Sequence, residues 1–205
     1  RVGLSATVGF ESIVKVANFL GGMGRRVKVV NVDEDNDSVM EVVAPGEEGY
    51  EKKLTSELAC TEKELESIIT SLRLIEEKQP VLFFVNTRQT AEVLASRIAI
   101  LNPDIPLGIH HGSLSKEVRM KMEEDFKKGD LKGLICTSSL ELGIDVGFVD
   151  HVVQFSSPRE VTRLVQRIGR AGHGVGRVSH GTILATRSDD ILESGVIVRK
   201  ALAGE

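Results

Sequence analysis

The feature that most constrains this chain is a repeated alternation of short apolar runs with longer amphipathic stretches. The apolar runs predict six strands, at 39–43, 81–85, 107–111, 134–137, 151–155 and 182–185. Runs that are apolar on both faces are typical of parallel strands buried between two layers of helices. The sequence therefore predicts an α/β fold in which a parallel sheet is covered by helices on both faces.

The stretches between these runs carry apolar residues at helical spacing. They predict helices at 61–78, after Ser115, at 159–170 and at 188–202, and one after the strand at 81–85 with Ala91, Leu94, Ala95 and Ile98 facing inward. Thr61 and Glu64 form a capping-box pattern at the start of the first of these helices. Upstream, the spacing predicts another helix that ends at Gly21 and Gly22, followed by a strand at 27–32.

An acidic, turn-forming run at 33–38 divides the chain into unequal parts. We interpret it as a linker between a unit at 1–32 and a larger unit at 39–205, although a plain solvated loop explains the same residues equally well. The chain has 205 residues and begins at Arg1 rather than methionine. We therefore expect it to be a piece of a longer protein.

Composition narrows the functional classes. The formal net charge of −4 argues against binding nucleic acid through bulk positive charge, so any such contact must be local. No apolar run approaches the roughly 18 residues that a membrane span needs. Cys60 and Cys136 belong to no paired motif and are expected to be free thiols in a reducing, cytoplasmic compartment. His110 and His111 should point to opposite faces of a strand, so no metal site is predicted.

Polar residues follow three of the predicted strands. They are Asn86-Thr87-Arg88, Gly112-Ser113 and Thr137-Ser138-Ser139. Hydroxyls, amides and free backbone N–H groups before a helix favour phosphate oxygens. A single group of this kind is explained by ordinary helix capping. Three groups at the end of one parallel sheet favour a phosphate-binding surface.

The predicted helix at 159–170 has two contrasting faces. Its apolar stripe comprises Val161, Leu164, Val165 and Ile168. Its basic stripe comprises Arg163, Gln166, Arg167 and Arg170. Like charges at this spacing repel, so the basic stripe calls for an anionic partner, and a guanidinium binds phosphate in bidentate geometry. A solvated basic face, paired with acidic residues of the same chain, is the alternative.

In this order, several segments resemble the motifs of superfamily 2 helicases, whose motors consist of two RecA-like domains. The segments are SAT at 5–7, VLFFVNTR at 81–88, HHGSLS at 110–115, CTSSLELGIDVG at 136–147 and QRIGRAGH at 166–173. The last two, together with residues 181–195, are most similar to the large helicase-related (Lhr) family. The resemblance implies that 39–205 is the second RecA-like domain and 1–32 the tail of the first.

The resemblance also implies residue roles. Arg167 and Arg170 would reach the γ-phosphate of ATP, with Arg170 as the preferred arginine finger and Gln166 at the same interface. Gly143 and Asp145 would approach the nucleotide, with Asp145 near the ribose. His173 occupies a position at which many superfamily 2 members have arginine.

The nucleic-acid side is implied in the same way. The residues that would hold the sugar–phosphate backbone are Thr87, Arg88, Gly112, Thr137 and Ser138. Ser5, Ala6 and Thr7 would couple the two domains. No GxxxxGK[ST] phosphate loop occurs, so ATP and Mg²⁺ would be held mainly by the first domain. We expect this chain alone to hydrolyse no ATP, and its partners to be that domain and nucleic acid, DNA rather than RNA.

Two other functions fit parts of the pattern. One is a non-catalytic nucleic-acid-binding module with a RecA-like fold. The other is a doubly wound enzyme that acts on a small molecule, although no GxGxxG segment follows a predicted strand.

Overall fold

The computed structural model of the protein describes residues 10–22, 25–30, 38–46, 53–141, 146–171 and 178–204. Its strands are β1 Ser38–Val43, β2 Val81–Phe84, β3 Leu107–His110, β4 Gly133–Cys136, β5 His151–Phe155 and β6 Ser179–Leu184. They form one sheet in the order β1-β6-β5-β2-β4-β3, and every neighbouring pair is parallel. All six predicted strands are confirmed within a few residues at their ends.

The described residues form the helices α1 Phe10–Gly21, α2 Lys53–Glu57, α3 Glu62–Glu77, α4 Arg88–Leu101, α5 Lys116–Lys128, α6 Val161–Ile168 and α7 Ser188–Ala203. Of these, α3 to α7 cover the two faces of the sheet. One apolar cluster joins the sheet to α3 and α4, and a second joins it to α5, α6 and α7. The predicted parallel α/β architecture is therefore confirmed.

The middle of the sheet forms the core. Every residue of β2 and β4 is buried, and Phe83 and Phe84 point into the opposite clusters. Each such side chain contributes about 1.5–3 kcal/mol on burial. Cys136, at the end of β4, and Cys60 are free thiols, as predicted. Burial raises the pKa of the Cys136 thiol, so this group is chemically inert packing.

Close packing on the sheet sets the position of α6. A Cβ atom at Gly181 of β6 would collide with the Ile168 side chain of α6. The absence of a side chain there lets α6 pack directly on the sheet. The C-terminal end of α6 is thereby fixed against β6.

The helix starts follow the local sequence. Thr61 forms the predicted capping box, since its backbone N donates to Glu64 Oε2 at 2.8 Å and its Oγ1 accepts from the Glu64 N–H at 3.3 Å. Ser115 caps α5 in the predicted way, with Oγ accepting from the Val118 N–H. Caps of this kind contribute about 1 kcal/mol each.

Two predictions of secondary structure are wrong in detail. The strand predicted at 27–32 is absent from the described part of that stretch, because residues 25–30 pair with no strand of the sheet. The helix predicted at 159–170 spans only Val161–Ile168, because Arg159 has φ +69° and the chain tightens into a turn after Ile168. Most of the predicted linker at 33–38 lies outside the described residues, and Ser38 belongs to β1.

Within the described ranges, no helix combines the length and apolar character that crossing a bilayer requires.

Candidate functional site

All six strands end at one side of the sheet, which we call the carboxyl edge. The order β5-β2-β4-β3 brings the turns after β2, β4 and β3 next to one another there. In open parallel sheets, ligands bind in the crevice beyond this edge. The three polar groups predicted from the sequence therefore lie on one surface.

The turn after β2 carries two of the predicted contacts. Thr87 is the N-cap of α4 and accepts a hydrogen bond from the Thr90 N–H at 3.1 Å. Arg88 Nη1 donates to Ser113 Oγ at 2.9 Å, which joins this turn to the one after β3. Thr87, Arg88 and Gly112 are all exposed. The structure thus brings these three residues together on the solvent side of the carboxyl edge.

The turn after β4 supplies the other two. The Thr137 N–H donates to the His110 carbonyl at 3.2 Å, and a 3-10 turn at Ser138–Leu140 follows. Thr137 is half-buried and Ser138 is exposed. Because β4 lies between β2 and β3, this turn lies between the other two.

His110 supports that turn from below. It is fully buried, and its Nε2 lies 2.8 Å from Glu123 Oε1 while its Nδ1 lies 2.7 Å from Ser139 Oγ. Ser139 Oγ also donates to the His110 backbone carbonyl at 3.2 Å, so two contacts hold this hydroxyl. Burial lowers the pKa of His110, and Glu123 opposes that shift. The buried ring therefore orients Ser139, one residue after the exposed Ser138.

The second histidine faces the other way. His111 Nε2 lies 3.2 Å from Glu92 Oε1 on α4, whereas His110 contacts α5. The predicted opposite orientation of the two rings is confirmed. Among the residues that the structure describes, no group of three or more side chains is arranged to hold a metal ion.

Arg167 is the largest fully buried side chain, with 1% of its surface exposed. Its Nε donates to Glu141 Oε1 at 2.7 Å, and its Nη2 donates to the same oxygen. Its Nη1 donates to Gln154 Oε1 and, at 3.4 Å, to Asn86 Oδ1. The guanidinium carbon lies 5.1 Å from the centroid of the Phe84 ring.

Burial lowers the pKa of Arg167, and the Glu141 carboxylate counteracts this shift. A guanidinium stays charged in proteins, so the buried cation depends on its paired carboxylate. Arg163 also lies near Glu141, with its Nε 3.8 Å from Oε1. Part of the basic stripe therefore has its anionic partner inside the chain, as in the alternative interpretation of that stripe.

The orientation of α6 differs from the prediction. Leu164 and Ile168 are buried as expected, but Val165 is 36% exposed and Arg167 takes the inward position. The helix is rotated toward its arginine face because Glu141, Gln154 and Asn86 satisfy the guanidinium there. The apolar pattern alone carried no information about these partners.

Gln166 and Arg170 are both half-buried. Gln166 lies on α6, and Arg170 lies in the turn after it, where its N–H donates to the Arg167 carbonyl at 3.0 Å. This turn holds Arg170 at a fixed distance from the buried Arg167.

A strained segment precedes α6. Ser156 and Arg159 have φ values of +60° and +69°. Ser156 Oγ lies 2.7 Å from Thr186 Oγ1, and Arg159 is paired with Glu193 at 2.6 Å and Asp190 at 3.6 Å. Left-handed backbone at such residues costs about 1–3 kcal/mol and is retained where surrounding contacts hold it. These contacts fix the point at which α6 begins.

Several predicted residues lie outside the described part of the chain. They are Ser5, Ala6, Thr7, Gly143, Asp145 and His173. Their roles stay predictions.

Two residues of the site were not predicted as functional: Glu141 and Gln154. Asn86 was predicted in the polar group after β2, but its Oδ1 accepts from Arg167. Gln154 left a signal in the sequence, because a polar residue inside the apolar strand HVVQF must find a buried partner. Glu141 left none, because it lies 26 positions from Arg167 and only the fold brings them together.

Comparisons with known proteins agree with this geometry. The family model described as the helicase conserved C-terminal domain matches residues 62–174. The ATP-dependent helicase Lhr-Core of Methanothermobacter thermautotrophicus is 36% identical over 100% of this chain and 24% of its own length. The Lhr helicase/uracil glycosylase of Escherichia coli is 34% identical over 100% of this chain and 16% of its own length. The chain thus spans about a quarter or less of these relatives.

Solved structures give the same picture. The Mycobacterium smegmatis helicase Lhr bound to ssDNA and AMP-PNP superposes with a TM-score of 0.85 at 33% identity, over 100% of this chain and 26% of that one. The C-terminal domain of the DEAD-box protein Dbp5 superposes with a TM-score of 0.61 at 22% identity, over 82% of this chain and 86% of that domain. The second likeness concerns the fold alone.

Proposed function

Because this chain belongs to the helicase conserved C-terminal domain family and is an Lhr-like superfamily 2 member, we propose that it is the second motor domain of an ATP-dependent nucleic-acid helicase. The observation that carries the proposal is the carboxyl edge. There the exposed turns after β2, β3 and β4 lie side by side. The turn that bears Arg170 follows α6 on the same sheet, where Ser179 Oγ at the start of β6 donates to the Ala171 carbonyl at 2.9 Å. The domain would bind a nucleic-acid strand through the turns after β2, β3 and β4, and would contact ATP through Arg170.

Arg170 is the residue we assign to the phosphate. A guanidinium that meets the γ-phosphate stabilises the charge that develops during phosphoryl transfer. Arg170 is only half-buried and follows α6, whereas the guanidinium of Arg167 is enclosed by protein partners. Gln166, also half-buried on α6, belongs to the same proposed interface.

The nucleic-acid contacts we assign are Thr87, Arg88, Gly112, Thr137 and Ser138. Four of these five are exposed, and together they offer hydroxyls, one guanidinium and a backbone free of side-chain bulk at Gly112. Such groups bind phosphate and sugar without reading base sequence. With a formal net charge of −4, strand affinity must come from these local groups.

ATP and Mg²⁺ are assigned to the full motor rather than to this chain. The sequence contains no GxxxxGK[ST] loop, so its contribution to ATP is the arginine side of a two-domain site. By the resemblance, Gly143, Asp145 and His173 would line that side as well. The first RecA-like domain would then be the main partner, and a cytoplasmic, nucleoid-associated location fits a motor of this kind.

DNA is the substrate we favour over RNA. The Mycobacterium smegmatis relative was solved with ssDNA, and it superposes over the whole of this chain. Measuring strand displacement by the full-length protein on matched DNA and RNA duplexes tests this choice. Displacement of RNA alone would overturn it.

The test of the proposed function is Arg170→Ala in the full-length helicase. We expect ATPase kcat to fall by about 10³-fold, since arginine fingers are worth roughly 10³–10⁵. Affinity for single-stranded DNA, measured by fluorescence anisotropy, should stay near that of the wild type. Arg199→Ala, which removes an exposed arginine of α7, is the matched control and should leave both values unchanged.

Two results would contradict the proposal. An equal loss of strand affinity in Arg170→Ala would place this arginine on the nucleic acid. ATP turnover by the isolated chain, abolished by the same substitution, would show that the first domain is not needed.

A further inference from the structure

The hydrogen bonds of Arg167 link parts of the site that are far apart in sequence. We call the set Asn86, Glu141, Gln154 and Arg167 the arginine tie, in which Arg167 and Gln154 are buried, Glu141 is half-buried and Asn86 is exposed. We infer that Arg167 is a positioning residue, which couples the strand-binding turns to Arg170 through this tie instead of contacting phosphate itself. The inference rests on the proposed function, because it assigns the turns to nucleic acid and Arg170 to ATP.

The hydrogen bonds of Arg167 are nearly saturated within the chain. A guanidinium has five N–H groups. Nε–H and one Nη2–H go to Glu141, and the two Nη1–H groups go to Gln154 and Asn86, which leaves one of the five. With only 1% of its surface exposed, the side chain would have to abandon Glu141 to reach a phosphate. That move would take from the mostly buried Glu141 carboxylate its short-range partner and leave it Arg163 Nε at 3.8 Å, which is unfavourable.

Each end of the tie adjoins a proposed contact. Asn86 directly precedes Thr87 in the turn after β2, and its Nδ2 donates to the Ser157 carbonyl at 2.9 Å. Glu141 follows the 3-10 turn that begins at Ser138, and its backbone N–H donates to the Ser138 carbonyl at 3.1 Å. A shift of either turn therefore displaces a ligand of the guanidinium.

Arg167 also links the tie to Arg170, the residue assigned to the phosphate of ATP. Arg167 lies in the last turn of α6, and its carbonyl accepts from the Arg170 N–H at 3.0 Å. Gln154 anchors the guanidinium to β5, and its Nε2 donates to the Phe155 and Ser156 carbonyls at 2.9 and 3.1 Å. Charged hydrogen bonds in a buried setting are strong and directional, so this network transmits displacement instead of absorbing it.

A positioning role predicts a particular defect. A variant of the tie should still bind single-stranded DNA and should still hydrolyse ATP at the rate measured without DNA. DNA binding should no longer increase the rate of ATP hydrolysis. The informative quantity is the stimulation ratio, which is ATPase kcat at saturating single-stranded DNA divided by kcat without DNA. A residue that merely supports the fold would lower both rates and leave this ratio unchanged.

The experiment compares Glu141→Gln, Arg167→Lys and the double variant in the full-length helicase. Glu141→Gln keeps the shape of the side chain and removes its charge. Arg167→Lys keeps the charge and removes the planar set of donors. Arg163→Lys is the matched control, since Arg163 lies on the same helix and near Glu141 but is 35% exposed and outside the tie.

We expect each single variant to lower the stimulation ratio about fivefold or more, the lower range of measured couplings between sites. The double variant should be no worse than the more affected single variant, because both remove one interaction. Glu141→Gln should keep its DNA-free rate and its KM for ATP. Arg163→Lys should behave as the wild type.

Two results would overturn the inference. If Arg167→Lys lowers kcat with and without DNA while Glu141→Gln is unaffected, Arg167 acts on the phosphate directly. If the two losses multiply in the double variant, the residues act independently. Should Glu141→Gln fail to fold in a thermal melt, Glu141→Asp keeps the charge, shortens the reach and gives the same readout. A failure of the proposed function would be seen in a different variant, because Arg170→Ala would then retain full ATPase activity.

Discussion

Acid should destabilise this domain through one histidine of β5. His151 is 7% exposed, and its Nε2 lies 2.7 Å from Thr182 Oγ1, which donates to Glu41 Oε1 at 2.7 Å. Because the Thr182 hydroxyl gives its proton to the carboxylate, it accepts from His151 Nε2–H. Burial lowers the pKa of His151 to about 4, with Lys78 and His180 adding to that shift and Glu41 opposing it.

The magnitude follows from the difference in pKa between the folded and unfolded chain. The unfolded ring titrates near pH 6.5, so below that pH the unfolded state binds a proton that the folded state refuses. Stability is therefore complete above about pH 6.5 and falls by about 1.4 kcal/mol per pH unit down to the folded value. Between pH 6.5 and a pKa of about 4, the loss is about 3 kcal/mol.

The assay is urea unfolding of the chain at a series of pH values between 7 and 4.5, followed by far-UV circular dichroism. His151→Gln keeps a donor toward Thr182 and removes the titrating group, so its free energy of unfolding should depend much less on pH than that of the wild type. The comparison variant is His180→Gln, which removes the exposed ring stacked on His151 at 6.3 Å and the smallest of the four contributions to the His151 pKa shift, so it should keep most of the pH dependence. If His151→Gln loses as much stability on acidification as the wild type, the reasoning is refuted.

Further predictions concern packing and strand binding. Gly181→Ala should lower the free energy of unfolding by about 1–3 kcal/mol, because its Cβ would collide with Ile168. The control Gly195→Ala has open space around it and should not lower that free energy. Equal denaturation midpoints for the two variants would contradict this packing. Arg88→Ala should weaken single-strand binding evenly across sequences and reduce the slope of log affinity against log salt by about 1, as measured by anisotropy titrations. An unchanged salt slope would remove Arg88 from the phosphate contacts.

The sequence predicts the layers of this fold well because the signals are local. Hydrophobic pattern and length alone predict β2 and β4 as buried strands. The capping residues Thr61 and Ser115 predict the starts of α3 and α5. What the sequence does not contain is the rotation of a helix about its axis when a charged residue competes for the inward position. α6 shows this, since Arg167 is buried and Val165 is exposed.

One part of the candidate site could be predicted from the sequence and another could not. The three strand-end turns could be predicted because parallel strands must end together, so local composition maps onto one surface. Glu141 could not be found as the partner of Arg167, because their contact depends on how β4 and α6 pack. A short element such as α2, five residues without a buried side chain, also leaves no periodic pattern to detect.

The pairing of β1 with β6 has a mechanical consequence. The two strands run parallel and are paired residue for residue from Ser38 with Ser179 to Val43 with Leu184. A pull applied at Ser38 along the axis of β1 loads all six residue pairs of the ladder in shear at the same moment. A ladder loaded lengthwise yields as a unit, whereas one peeled from its end yields one bond at a time.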